Sequence, residues 1–91
     1  MQPGAAMGEV EHMRTVVRMP NLGAEAAAGR IVNWLRQVGD VVAVGDPIAE
    51  VETDKATVEL EALAPGRLVE IVAPAGAEVQ VGGTLAFIAE E

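Results

Sequence analysis

The 91-residue chain carries 14 carboxylates against six cations, a net charge of −8, so it lacks the basic surface that nucleic acid or an anionic membrane requires. It has no Cys, Ser or Tyr and one histidine, His12, which excludes disulfides, thiolate or histidine-based metal sites and imidazole-assisted nucleophiles. No stretch approaches the roughly 20 apolar residues that span a bilayer, and a 51% hydrophobic chain whose only aromatics are Trp34 and Phe87 calls for one small aliphatic core built from strands and turns.

Residues 1–13 lack both the apolar centre of a signal peptide and the arginine-rich character of a transit peptide. They read as a disordered lead-in or an expression remnant, with the folded domain running over residues 14–91. A first strand is predicted near Thr15–Met19. The connection from Asn21 to Ala28 follows, and its alanine run is too short between Gly23 and Gly29 to hold a helix. Further strands are predicted near Arg30–Leu35, Asp40–Val44, Ile48–Thr53, Thr57–Ala62, Arg67–Val72, Glu78–Val81 and Thr84–Ala89, separated by Gly and Pro. Within Thr57–Ala62 the apolar Val58, Leu60 and Ala62 alternate with Thr57, Glu59 and Glu61, which predicts one buried and one wet face.

An internal repeat organises these strands. Residues 29–54 align with residues 66–91 at a constant offset of 37, and eight of the 26 pairs are identical. Three of those pairs are glycines at turns (Gly29/Gly66, Gly39/Gly76 and Gly45/Gly82), implying equal backbone conformations in both copies. Two copies are too few for a solenoid. The pattern predicts an all-β fold, a flattened β-barrel or sandwich of two similar, interleaved halves with internal pseudo-two-fold symmetry. Since the repeat carries Asp54 onto Glu91, the Lys55 turn and the chain exit are expected at opposite ends.

Lys55 is the chain's only lysine, beside five arginines. It falls between the strands ending at Thr53 and starting at Ala56, where a type I turn accepts Asp54 and Lys55 without glycine and points the lysine away from the sheet. An amine can be acylated, whereas a guanidinium stays charged and is a poor acyl acceptor. Glu50, Glu52, Asp54, Glu59 and Glu61 flank the apex, which also fits a solvated face that blunts sheet edges. There is no calcium-loop signature among them, and no metal site is expected.

The run Glu52-Thr53-Asp54-Lys55-Ala56-Thr57, with Gly45-Asp46-Pro47 before it and Gly66-Arg67-Leu68 after it, resembles the lipoyl domain of 2-oxo acid dehydrogenase acyltransferases. Met19-Pro20-Asn21-Leu22-Gly23 and Ile31-Val32-Asn33-Trp34-Leu35 with Gly39-Asp40 fit the same family. The resemblance implies a barrel-sandwich hybrid of two four-stranded antiparallel sheets, with lipoate in amide linkage to Lys55. It implies that Asp54 and Ala56 guide the lipoate-attaching enzyme, and that Asn21, Leu22, Gly23, Ala24, Glu25 and Glu52 serve partner recognition. The implied role is a non-catalytic carrier within an acyltransferase (E2) component. The lipoyl group would carry acyl groups and reducing equivalents between a 2-oxo acid decarboxylase (E1), the acyltransferase core and dihydrolipoamide dehydrogenase (E3). The isolated domain is expected to be monomeric, in a bacterial cytoplasm or a mitochondrial matrix. Ala28 stands where the family often has Glu before the glycine, in the loop the decarboxylase reads. Biotin carboxyl carrier domains resemble the same fold, but their lysine typically lies between two methionines. An unmodified barrel-sandwich interaction module is the third reading.

Overall fold

The computed structural model describes residues 14–22 and 26–90. Eight strands follow in chain order: β1 (Arg14–Arg18), β2 (Ala28–Trp34), β3 (Val41–Val42), β4 (Pro47–Glu52), β5 (Thr57–Glu61), β6 (Gly66–Ile71), β7 (Glu78–Gln80) and β8 (Thr84–Ala89). They form two four-stranded antiparallel sheets, ordered β1-β8-β6-β3 and β5-β4-β2-β7. The sheets pack as a sandwich and do not close into a barrel. Each half of the chain supplies strands to both sheets, so neither half could bury its apolar face alone.

The repeat in the sequence reappears as a repeat in hydrogen bonding. Arg30 pairs with Glu52 and Ile31 with Val51, followed by a bulge and then Asn33 with Glu50. Thirty-seven residues on, Arg67 pairs with Ala89 and Leu68 with Ile88, and after the same bulge Glu70 pairs with Phe87. The bonds that extend the β2–β7 and β3–β6 pairings obey the same offset: Ile31 N–H donates to Ala77 O and Leu68 N–H to Asp40 O, both at 2.9 Å. β1 and β5 are also counterparts, with β1 on β8 matching β5 on β4 pair by pair, including the bulge at the far end. The expected pseudo-two-fold is therefore present in the backbone.

The core follows from that equivalence. Ile31 and Leu68, Ile48 and Leu85, Val51 and Ile88, and Ala49 and Ala86 occupy paired positions, all of them buried. Fully burying a Leu, Ile or Val contributes about 1.5–3 kcal/mol each. No charged or polar side chain is buried among the described residues. Trp34 joins the halves: its Nε1–H donates to Ala73 O at 2.8 Å, and Ala73 N–H in turn donates to Leu85 O at 3.1 Å.

Two expectations are corrected. Gly39 and Gly76 share a left-handed φ (102° and 93°), as do Gly45 and Gly82 (92° and 87°), but Gly66 has φ 150° while Gly29 is not in the positive range. A Cβ on Gly29 would meet Met19 and Leu22 side chains, and one on Gly66 would meet the Ala89 carbonyl. The two glycines thus answer different local crowding. Leu60 in β5 and Ala62 just after it are buried as expected, but Val58, at 39%, is exposed. It lies beside the turn on an edge strand with no further strand to cover it.

Glu91 lies outside the described residues, as do residues 1–13 and Gly23, Ala24 and Glu25. Ala89 is described and bears on where the chain leaves. β5 runs from the lysine turn to Glu61, and the short loop after it brings Gly66 against the Ala89 carbonyl. Ala89 therefore lies near the end of β5 that is remote from the lysine turn. Arg14, paired with Ala89, enters at the same end.

Candidate functional site

β4 and β5 form a hairpin in the register Glu52 with Thr57, Val51 with Val58 and Glu50 with Glu59. Val51, Ala49 and Leu60 anchor it in the core, so the four residues beyond the last pair, Thr53 to Ala56, project from a fixed base. Thr53 N–H donates to Ala56 O at 2.8 Å and closes the hairpin. The Thr53 hydroxyl oxygen accepts from Lys55 N–H at 3.2 Å and from Ala56 N–H at 3.3 Å, and it lies 3.5 Å from Ala56 O as a donor. This is the side-chain turn that Ser and Thr form with amides two and three residues on. No non-glycine residue here has positive φ, so the turn is made without a glycine.

Asp54, Lys55 and Ala56 are all exposed, and Thr53 is half-buried. The lysine backbone is thus held while its side chain faces solvent. Beside the turn lies an open depression of about 260 Å³ bordered by Ala28, Gly29, Arg30, Glu52, Thr53, Asp54 and Glu78. It is polar at its rim: Arg30 stands between Glu52 and Glu78, its cross-strand partners on either side. On the same outer face Glu50 and Glu59 are directly opposed, an arrangement that costs stability.

The expected site residues fall into three sets. Asp54, Lys55 and Ala56 come together at the apex, with Glu52 at its base. Leu22 packs against the core and reaches the space above Gly29, which borders the depression. Asn21 is exposed, and Gly23, Ala24 and Glu25 are outside the described residues. Thr53 was not singled out in the sequence, although a Thr opening a turn is a readable signal. Arg30 and Glu78 arrive by long-range pairing and carry no local signal. Among the described residues no cluster of three His, Asp or Glu could hold a metal.

The biotin–lipoyl family model, described as "Biotin-requiring enzyme", matches residues 15–88. The chain belongs to this family. It is 46% identical over 76 residues to the dihydrolipoyllysine-residue acetyltransferase component 2 of the mitochondrial pyruvate dehydrogenase complex of Arabidopsis thaliana, covering 82% of this chain and 14% of that protein. The chain thus spans about a seventh of that relative. Among solved structures, the lipoyl domain of the 2-oxoglutarate dehydrogenase complex from Azotobacter vinelandii superposes with a TM-score of 0.68 at 30% identity, covering 84% of this chain and 98% of that one. The Kluyveromyces lactis urea carboxylase superposes with a TM-score of 0.69 at 24% identity, over 82% of this chain and 6% of that one, a likeness of fold alone. Homology to E2 acyltransferase components and the match to a lipoyl domain make this a carrier-type domain of the family, with the fold, strand order and lysine hairpin described above.

Proposed function

We propose that this domain is a lipoyl carrier, with lipoate in amide linkage to Lys55 Nζ. The observation that carries the reading is the exposed lysine at the apex of a hairpin whose backbone is pinned by Thr53 and whose strands are rooted in the core. An apex lined by Asp54 and Ala56 leaves room for a modifying enzyme to reach the amine and for a long arm to swing. When attached, lipoate supplies a disulfide that carries acyl groups and reducing equivalents. The chain itself supplies attachment, orientation and reach. In this reading Asp54 and Ala56 are read by the attaching enzyme, and Asn21, Leu22, Gly23, Ala24, Glu25 and Glu52 by partner enzymes. The partners are a 2-oxo acid decarboxylase, an acyltransferase core and dihydrolipoamide dehydrogenase, in a bacterial cytoplasm or a mitochondrial matrix.

The far placement of Arg14 and Ala89 supports a tethered carrier, since a linker continuing from that end would not obstruct the arm. Effective concentration then replaces tight binding. Intact mass after incubation with lipoate, ATP and a lipoate-attaching enzyme tests the proposal. The wild-type chain should gain one lipoyl group, and Lys55→Arg none while keeping its circular dichroism spectrum. A lipoyl gain in Lys55→Arg would overturn it.

The family also takes in biotin carriers, and the two readings differ at the flanks of the lysine. Asp54 and Ala56 stand where biotin carriers place methionines, so incubation with a biotin-attaching enzyme should leave the wild-type chain unmodified. Asp54→Met combined with Ala56→Met should shift modification toward biotin. Unchanged lipoylation with no biotin gain in that double variant would count against a local code.

A further inference from the structure

We infer that Thr53 is a positioning residue for the modification of Lys55, acting through its hydroxyl on the backbone that presents the lysine. This rests on Lys55 being the acylated residue. Two amides of the apex, those of Lys55 and Ala56, both donate to one oxygen, Thr53 Oγ1, at 3.2 and 3.3 Å. The same residue's N–H closes the hairpin on Ala56 O at 2.8 Å. Thr53 thus bonds both apex amides through its hydroxyl and the Ala56 carbonyl through its N–H. Asp54 and Ala56, the residues that flank the lysine, are exposed and offer no comparable anchor. Thr53 is half-buried and continues directly from β4, whose Val51 is fully buried. Its Cβ is set by the sheet, and β-branching restricts χ1, so the hydroxyl is delivered to the amides at little entropic cost. The chain has four threonines, and this one occupies the position where a hydroxyl can hold the apex.

The consequence is a specific kinetic signature. An attaching enzyme must accept one geometry of the turn. If the hydroxyl is lost, the turn samples alternatives, and only the fraction in the competent geometry binds. The apparent affinity falls by that fraction, while the chemical step in the bound complex is unchanged. Thr53→Val keeps the branching and removes the hydroxyl, whereas Thr53→Ser keeps the hydroxyl. For Thr53→Val, KM for the domain should rise about ten-fold with kcat within about two-fold, and unfolding should remain cooperative. The Lys55 and Ala56 amides should exchange with solvent about ten-fold faster, because their acceptor is gone. Thr53→Ser should restore both readouts.

The experiment is therefore lipoylation kinetics of the three apo-domains, paired with amide exchange of Lys55 and Ala56 by NMR. Wild-type KM in Thr53→Val despite faster exchange would overturn the inference, as would unchanged exchange or a failure of Thr53→Ser to rescue. If the wild-type domain took no lipoate at all, the carrier reading itself would fall. The exchange data would still report whether the hydroxyl holds the turn, so the two failures are distinguishable.

Discussion

Single residues in this domain do separable jobs, and Trp34 and Lys55 mark the extremes. Lys55 is exposed, and the core does not depend on its side chain. Trp34 is the reverse: its indole N–H satisfies the carbonyl of Ala73, in the other half of the repeat. Trp34→Phe should keep the ring and lose that bond, leaving a poorly hydrated acceptor. The expected cost is about 1–3 kcal/mol, read as a lower midpoint in urea or heat, with lipoylation of the folded domain unchanged. A midpoint within error of the wild type would show that Ala73 finds another donor. The lysine was legible in the sequence because it stands alone in its type and sits between two strand signals. The indole bond was not, because no local pattern pairs residues 39 apart.

At the level of strands and turns, the repeat made most of the fold readable. The offset of 37 aligned the turn glycines, and a left-handed φ at Gly39, Gly45, Gly76 and Gly82 is what their shared sequence context required. It could not reveal that Gly66 differs from Gly29, because that difference comes from the Ala89 carbonyl on a neighbouring strand. Alanine substitutions separate the two causes. Gly39→Ala and Gly76→Ala meet open space and should each cost only the left-handed penalty, about 1–2 kcal/mol. Gly66→Ala must also push backbone apart and should exceed about 3 kcal/mol. Equal losses at all three positions would refute the steric argument. The β4–β5 pairing makes a prediction of opposite sign. Glu50 and Glu59 face each other across the hairpin, so Glu59→Arg should raise stability by about 0.3 kcal/mol, modestly because the pair is solvated. That gain should shrink in high salt.

For the molecule as a whole, the pseudo-two-fold explains why the lysine occurs where it does. β4 and β5 are joined by Thr53 to Ala56, whereas their counterparts β8 and β1 are hydrogen-bonded in the same register without being joined there. The turn that displays Lys55 is therefore the closed version of the gap where the chain enters and leaves. The same architecture that needs a hairpin at one end leaves the matching pair at the other end unjoined. If the equivalence is real, the open end should accept the same closure. A permuted chain beginning at Ala64 would run through β8 to Ala89, continue through a Thr-Asp-Arg-Ala linker into Arg14, and end at Leu63. The break falls in the short loop after β5, where Leu63 is 86% exposed, the kind of site that tolerates new termini. Four residues span the gap between Glu52 and Thr57, and Ala89 and Arg14 form the matching pair. The permutant should fold cooperatively, with a midpoint within about 5 °C of the wild type, and should still be lipoylated at Lys55. Loss of cooperative unfolding in this permutant, alongside retention when a long Gly-Ser linker replaces the four residues, would show that the two ends are not geometrically equivalent. Failure of both linkers would place the fault at the new break, which a second permutant opened at the exposed Ala75 would check. Arginine in the linker keeps Lys55 as the only acylatable side chain, so the modification readout stays assigned to one residue throughout.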